Sequence, residues 1–184
     1  MAAPMTAATV SHVHAHHAQA ARRVGCFVLT ISDTRTEATD TSGRAIAELL
    51  AAEGHDVRGR AIVRDDPESV RALVREHASR SDVQAIVTTG GTGLTPRDST
   101  YEALDGLLEK RLDGFGELFR MLSYQEIGPA AMLSRACAGT VAGTIVIALP
   151  GSEHAVRLAM TKLILPELGH MVQQILGRDN AAPL

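Results

Sequence analysis

The chain is poor in aromatic residues and in lysine. Its 184 residues include no tryptophan, two tyrosines, three phenylalanines and two lysines, Lys110 and Lys162, and its formal net charge is −3. Nucleic-acid-binding proteins normally present a basic face and rings on which bases stack, so we expect no nucleic-acid binding. No apolar run approaches the roughly 20 residues that a transmembrane helix needs, and we expect no membrane span.

Cysteine is also scarce. Cys26 and Cys137 are too few for a disulfide framework and form no C-x-x-C pair, which predicts a reducing, cytoplasmic setting. With 45% hydrophobic residues and little net charge, the chain is not expected to be extended and disordered. Its length is that of one ordinary domain.

The two ends differ from the rest of the chain. Residues 1–22 are rich in Ala, Thr and His and lack the charged and apolar regions of a secretory signal. We predict a disordered tail there, either simply solvated or with its histidines (His12, His14, His16 and His17) binding a transition metal loosely. Residues 178–184 are predicted to be a flexible C-terminus, which leaves a single domain over residues 23–177.

Within that domain, predicted strands alternate with predicted helices. Apolar runs at 24–31, 83–89 and 144–149 are typical of buried strands, and the alternating segment 57–63 predicts a strand with one wetter face. Helices of ten or more residues separate most of these segments. The alternation predicts an α/β fold: a three-layer, doubly wound, mostly parallel sheet with helices on both faces.

Ligands in such sheets bind beyond the carboxyl ends of the strands. Three short polar segments fall there, at 30–33, 90–93 and 150–152. Their small residues let backbone N–H groups approach an anion closely. The second and third segments also lead into helices, whose N-termini favour negative charge. A phosphate-bearing ligand is therefore expected at this edge.

The middle segment, TTGGTGLTPRD at 88–98, carries most of the information. It is neither a Walker A loop nor a dinucleotide fingerprint, because the required Gly-Lys-Ser/Thr and the third glycine are missing. Two interpretations stay open: a phosphate-binding loop or a tight structural turn. Arg97 is suited to bidentate phosphate contacts. Asp98 is suited to capping a helix that starts near it, to binding Mg²⁺, or to both.

A second carboxylate follows the 57–63 strand. Pro67 marks Asp66 as the N-cap of the next helix, so Asp65 remains to point into the same crevice. The alternative is that Asp65 is an ordinary solvated loop acid.

Four motifs together resemble the MoaB/Mog family of molybdenum-cofactor biosynthesis proteins. They are TTGGTGLTPRD at 88–98, LPGS at 149–152, TISD at 30–33 and SRA at 134–136. The similarity covers residues 24–176, and the segment 114–128, GFGELFRMLSYQEIG, resembles the MoaB branch in particular.

The resemblance implies a molybdopterin-binding fold and Mg-ATP-dependent adenylylation of molybdopterin, giving adenylyl-molybdopterin and pyrophosphate. It implies Asp98 and Asp65 as catalytic acids, with Mg²⁺ at Asp98. The expected substrate-binding residues are Ser32, Asp33, Gly90, Gly91, Thr92, Gly93, Arg97, Ser134, Pro150, Gly151 and Ser152.

The resemblance also implies assembly and partners. Family members form homotrimers or homohexamers, so an apolar stripe that includes Phe115 and Phe119 is expected to be partly an interface, and other proteins of the pathway are possible partners. Two alternatives stay open: a molybdopterin-binding carrier without ATP chemistry, and a related domain that acts on another nucleotide.

Overall fold

A computed structural model describes residues 23–95 and 98–177. The predicted tail at 1–22, the predicted C-terminus at 178–184 and the candidate residue Arg97 lie outside the described residues. None of the described helices has the length and apolar character needed to cross a membrane.

A six-stranded mixed sheet forms the centre of the molecule, in the order β2-β1-β3-β6-β5-β4. β2, β1, β3 and β6 are parallel, and β5 and β4 add antiparallel strands at one edge. The strands are β1 (Gly25–Ile31), β2 (Asp56–Val63), β3 (Ala85–Gly90), β4 (Lys110–Arg111), β5 (Cys137–Val141) and β6 (Thr144–Leu149). The predicted mostly parallel sheet is confirmed.

Helices cover both faces of the sheet. The α-helices are α1 (Thr41–Ala52), α2 (Pro67–Ala78), α3 (Thr100–Asp105), α4 (Asp113–Ile127), α5 (Glu153–Ala159) and α6 (Leu165–Leu176). A 3₁₀ helix, Gly128–Leu133, follows α4. On one face, residues of α1, α4, α5 and α6 pack in a single apolar cluster, and residues of α2 and α3 pack in another.

Strand β1 contributes to both apolar clusters because successive side chains of a strand point to opposite faces. Cys26 and Val28 pack in the cluster with α1, whereas Phe27 and Leu29 pack in the cluster with α2. All seven residues of β1 are buried. A continuous apolar run is therefore what a central parallel strand requires.

The last two long strands of the sheet, β5 and β6, form a hairpin. β5 and β6 pair antiparallel through a two-residue turn at Ala142 and Gly143. Both turn residues have positive φ, 49° and 79°, as the turns that match strand twist require.

The structure places both phenylalanines of the α4 stripe in the core. Phe119 is fully buried and Phe115 is 9% exposed, and both pack in the apolar cluster with α1. The helical period places their neighbours on a different face. Leu118 and Met121, respectively 47% and 52% exposed, are among the apolar residues that α4 presents outward.

The C-terminal helical segment changes its hydrogen-bond pattern near Pro166. A π-helical turn, Met160–Ile164, joins α5 to α6 directly before this proline. Pro166 has no N–H with which to continue the hydrogen-bond ladder, so the turn widens where the regular pattern fails.

Candidate functional site

A cavity of about 220 Å³ opens at the carboxyl ends of β1 and β3. The chain leaves β1 toward β2 on one side and later returns to β3 on the other, so the cavity lies where the strand order reverses. Its lining residues are Thr30, Ile31, Ser32, Arg35, Asp40, Ser42, Thr89, Gly90 and Gly151. Ser32, Gly90 and Gly151 are the sequence-predicted members.

Asp40 organises the wall of this cavity. It is 2% exposed and caps α1, accepting the Gly43 N–H at 2.8 Å on Oδ1. Its Oδ2 accepts the Thr30 hydroxyl at 2.9 Å and the Arg60 guanidinium at 3.1 Å. One carboxylate therefore joins β1, β2 and the start of α1, and its buried charge is paired.

The loop after β6 is held to the cavity by two hydroxyls. Ser42 donates to the Gly151 carbonyl at 2.8 Å, and Thr89 donates to the Pro150 carbonyl at 2.9 Å. Ser152 caps α5, accepting the Ala155 N–H at 3.3 Å. The three predicted residues at 150–152 are thus placed beside β3, as expected for neighbouring parallel strands.

Two glycines allow the chain to turn closely at the end of β3. Gly90 has a φ of +93°, and a Cβ there would lie 2.2 Å from the Ile31 carbonyl oxygen. Gly91 has a φ of +65° and would place a Cβ 2.9 Å from the Ile31 side chain. Only glycine meets both the backbone conformation and the close approach.

Asp98 binds back to its own loop. Its Oδ2 accepts the Thr95 N–H at 2.8 Å and the Thr95 hydroxyl at 2.7 Å. A Cβ at Gly93 would lie 2.2 Å from the same oxygen, so any larger residue there would displace the carboxylate. The N-cap interpretation of Asp98 is wrong, because α3 begins at Thr100 with Ser99 in the cap position.

Arg135 contacts this loop from the other side. Its Nε donates to the Thr92 carbonyl at 3.1 Å and its Nη2 donates to the Gly93 carbonyl. Its Nη1 pairs with Glu102, and this hydrogen bond lowers the pKa of Glu102. The guanidinium also lies 4.4 Å from the centre of the Tyr101 ring, in the geometry of a cation–π contact.

The acids that follow β1 and β2 lie together. The Asp65 N–H donates to Asp33 Oδ1 at 3.3 Å, and Arg64 Nε lies 3.6 Å from the same oxygen. Asp65 Oδ1 is buried and has no hydrogen-bond partner among residues 23–95 and 98–177. A buried carboxylate oxygen without a partner is costly, which is typical of a group that binds a ligand or ion.

Comparisons with known proteins agree with the motifs. Residues 27–170 match the family model for a probable molybdopterin binding domain. The chain is 53% identical over 161 residues to molybdenum cofactor biosynthesis protein B of Bacillus anthracis, covering 87% of this chain and 95% of that protein. The chain belongs to the MoaB/Mog family.

Solved MoaB structures have the same fold. A crystal structure of molybdenum cofactor biosynthesis protein B aligns with a TM-score of 0.83 at 53% identity, over 86% of this chain and 99% of that one. The tungsten cofactor synthesizing protein MoaB from Pyrococcus furiosus aligns with a TM-score of 0.76 at 37% identity, over 86% of this chain and all of that one.

In this MoaB/Mog chain, sequence reasoning missed two organising residues. The sequence does contain a signal for Asp40, because an aspartate directly before an amphipathic helix is a typical N-cap. For Arg135 the sequence contains no signal except the SRA motif, since the two loop residues that it contacts, Gly93 and Thr92, lie 42 and 43 residues away. Ser134, its predicted neighbour, ends the 3₁₀ helix and donates its N–H to Ala131.

The described part of the chain contains no group of three or more His, Cys, Asp or Glu residues that could hold a metal. This excludes a complete protein cage within those residues but fits Mg²⁺, which is usually bound by one or two carboxylates together with substrate phosphates. Both cysteine thiols are buried, and burial raises the pKa of Cys26 to about 12 and that of Cys137 to about 11.

Proposed function

We propose that the chain is a molybdopterin adenylyltransferase that uses Mg-ATP. The observation that carries the proposal is the glycine loop after β3. Among the described residues, the N–H groups of Gly93 and Leu94 donate no hydrogen bond, and the Asp98 carboxylate lies against Gly93. Unpaired backbone N–H groups beside a carboxylate suit a phosphate group and its divalent cation. The names of the relatives, molybdenum cofactor biosynthesis protein B, support the pathway.

In the proposed reaction, an oxygen of the terminal phosphate of molybdopterin attacks the α-phosphorus of ATP. The bond from that phosphorus to the oxygen bridging to the β-phosphate breaks, and pyrophosphate leaves. Such transfers depend on alignment and charge stabilisation more than on covalent chemistry by the protein. The N–H groups of Gly93 and Leu94 would hydrogen-bond to phosphate oxygens, and the cavity beside Gly90 would hold part of the ligand.

Asp98 and Asp65 are the carboxylates that we propose for Mg²⁺. Asp98 lies in the loop itself, and Asp65 has a buried oxygen that lacks a partner in the described part of the chain. When bound, Mg²⁺ neutralises charge on the phosphates. Asp33 would orient Asp65 through its backbone N–H. Arg97 would offset negative charge on the phosphates, a prediction that stays open because Arg97 lies outside the described residues.

Release of pyrophosphate tests the proposal. The protein is incubated with molybdopterin, ATP and Mg²⁺, and pyrophosphate and adenylyl-molybdopterin are quantified against reactions lacking one component. Formation of both products in equal amounts is the expected result. Molybdopterin binding without pyrophosphate would overturn the proposal in favour of a carrier. Affinity for another nucleotide and none for the pterin would identify a different activity.

We also propose that the protein works in the cytoplasm as a homotrimer or homohexamer, alongside other proteins of the pathway. The helix α4 and the 3₁₀ helix that follows it expose several large apolar side chains, an unusual concentration for a monomer surface. They are Leu118, Met121, Tyr124, Ile127, Met132 and Leu133. Light scattering should give three or six times the chain mass, and Met121→Lys should lower it. A monomeric wild type would contradict the assembly.

A further inference from the structure

Arg135 lies beneath the glycine loop, and its guanidinium has four different partners. It donates to the carbonyls of Thr92 and Gly93, pairs with the carboxylate of Glu102, and stacks on the Tyr101 ring. Its side chain is only 17% exposed. The flat fork of an arginine can make these contacts at once because its donors point in fixed directions in one plane.

These contacts decide which way the loop amides point. In a trans peptide, the C=O and the following N–H point in opposite directions. Because the Thr92 and Gly93 carbonyls point toward Arg135, the N–H groups of Gly93 and Leu94 must point away from it. Those are the same N–H groups that have no hydrogen-bond partner among the described residues.

We propose that Arg135 is a positioning residue that orients the Gly93 and Leu94 amides toward the bound phosphate. The inference rests on the proposed adenylyl transfer. Arg135 does not touch the substrate itself in this account, since its donors are already engaged by the loop and by Glu102. Its positive charge is neutralised locally by Glu102, so its contribution is geometric.

The conservative variant Arg135→Lys separates geometry from charge. A lysine keeps the charge but has one donor group, which cannot reach two carbonyls and a carboxylate in one plane. We expect kcat for pyrophosphate release to fall about ten- to a hundredfold, because small misplacements of catalytic groups have effects of that size. Millimolar guanidinium added to Arg135→Ala should restore part of the lost rate.

Hydrogen exchange of the loop provides a readout independent of activity. In Arg135→Lys, exchange of the Thr95 and Asp98 amides, which are hydrogen-bonded within the loop, should accelerate about tenfold or more, while peptides of β1 and β6 keep wild-type rates. Glu102→Gln keeps the arginine and should show a smaller acceleration. Arg71→Ala, which removes an arginine paired with Glu68 on α2, is the matched control and should change neither exchange nor rate.

The outcomes separate the two proposals. If the wild type releases no pyrophosphate, the proposed function is wrong, and the exchange measurement still decides the positioning. If the wild type is active and Arg135→Lys keeps both wild-type kcat and wild-type exchange, Arg135 does not position the loop. If Arg135→Lys fails to fold, Glu102→Gln decides: unchanged loop exchange and kcat in that variant overturn the positioning role.

Discussion

In the cavity wall, the Asp40 carboxylate has three hydrogen-bonding partners. In the glycine loop that follows β3, the Gly93 and Leu94 N–H groups have none in the described part of the chain. The hydroxyls of Ser42 and Thr89 in the wall are likewise bonded to backbone carbonyls. These polar groups of the wall are therefore hydrogen-bonded within the protein, as polar groups in a protein interior normally are.

The difference separates polar groups that maintain the fold from polar groups that await a ligand. A buried polar group without a partner costs about 1–3 kcal/mol, so Asp65 Oδ1 is not expected to stay unpaired unless something binds to it. Gly93 and Leu94 are exposed, so their N–H groups are accessible to solvent or to a ligand. Substitutions in the wall should therefore change stability, and substitutions in the loop should change activity.

Asp98 gives the largest expected effect on activity. Asp98→Asn keeps an oxygen that can accept the two hydrogen bonds from Thr95 but removes the negative charge. If the charge binds Mg²⁺, turnover falls about a thousandfold, an effect typical of losing one preorganised electrostatic group. Pyrophosphate release and urea unfolding are measured together, and stability should be nearly unchanged.

Asp98→Ala is the companion variant, because it also removes the bonds to Thr95. Near-normal turnover in Asp98→Asn with a large loss in Asp98→Ala would show that Asp98 shapes the loop without binding the cation. Near-normal turnover in both would remove Asp98 from the mechanism.

Asp40→Ala should have the largest effect on stability. It leaves the Thr30 hydroxyl and Arg60 without their acceptor and uncaps α1, at a cost of about 3 kcal/mol in the free energy of unfolding. Asp66→Ala is the matched control. Asp66 also caps a helix, through Ser69 N–H at 2.8 Å, but it is exposed, so a smaller loss is expected in urea unfolding. Equal losses would argue against a special role for Asp40.

Gly90→Ala tests the close turn at the end of β3. The added Cβ meets the Ile31 carbonyl oxygen and the backbone keeps a positive φ. Gly54→Ala has a similar φ of +81° but nothing within 4 Å of its Cβ. We expect Gly90→Ala to cost about 2 kcal/mol more than Gly54→Ala in thermal or urea unfolding, the extra cost of overpacking. No difference would mean that the turn relaxes freely.

The smallest expected effect on stability is that of His55, which directly precedes β2 at the amino ends of the parallel strands, away from the cavity. Burial lowers its pKa below the ordinary value near 6.5, and its Nδ1 lies 3.2 Å from the Val24 backbone nitrogen, accepting that N–H. Since the folded pKa is the lower one, this stabilisation is present above about pH 6.5 and is lost as the pH falls through the folded value. Because His55 is only partly buried, solvent screening keeps this contribution small.

The pH dependence is measured by urea unfolding between pH 7.5 and 5. His55→Asn, which keeps an acceptor but does not titrate, should flatten the profile. Its kcat should match the wild type at each pH, because His55 is remote from the loop. A shared change in activity would show that the two edges of the sheet are coupled.

Much of the fold is predictable because strands buried on both faces leave continuous apolar runs. The run at 144–149 coincides with β6, and the runs at 24–31 and 83–89 differ from β1 and β3 by one or two residues at their ends. β4, with two exposed residues, has no such pattern. It exists because Lys110 and Arg111 pair with β5, a long-range contact that local sequence does not encode.

The candidate site is predictable only in part, for a related reason. Glycines and prolines mark the turns after β3 and β6, so the loops could be found. Whether a polar group of these loops has a hydrogen-bond partner depends on residues far along the chain, such as Arg135, which donates to the Gly93 carbonyl. The segment 134–136 contributed through family resemblance alone, without a physical reason for its arginine.

The most direct test of the account is an amide NMR titration of the wild-type protein with Mg-ATP. A phosphate accepting hydrogen bonds from the loop should shift the Gly93 and Leu94 amide protons downfield more than any others of the loop, and Asp98→Asn should weaken the response. If these two amides do not move while ATP binds elsewhere, the loop is not the phosphate site and the proposed chemistry fails.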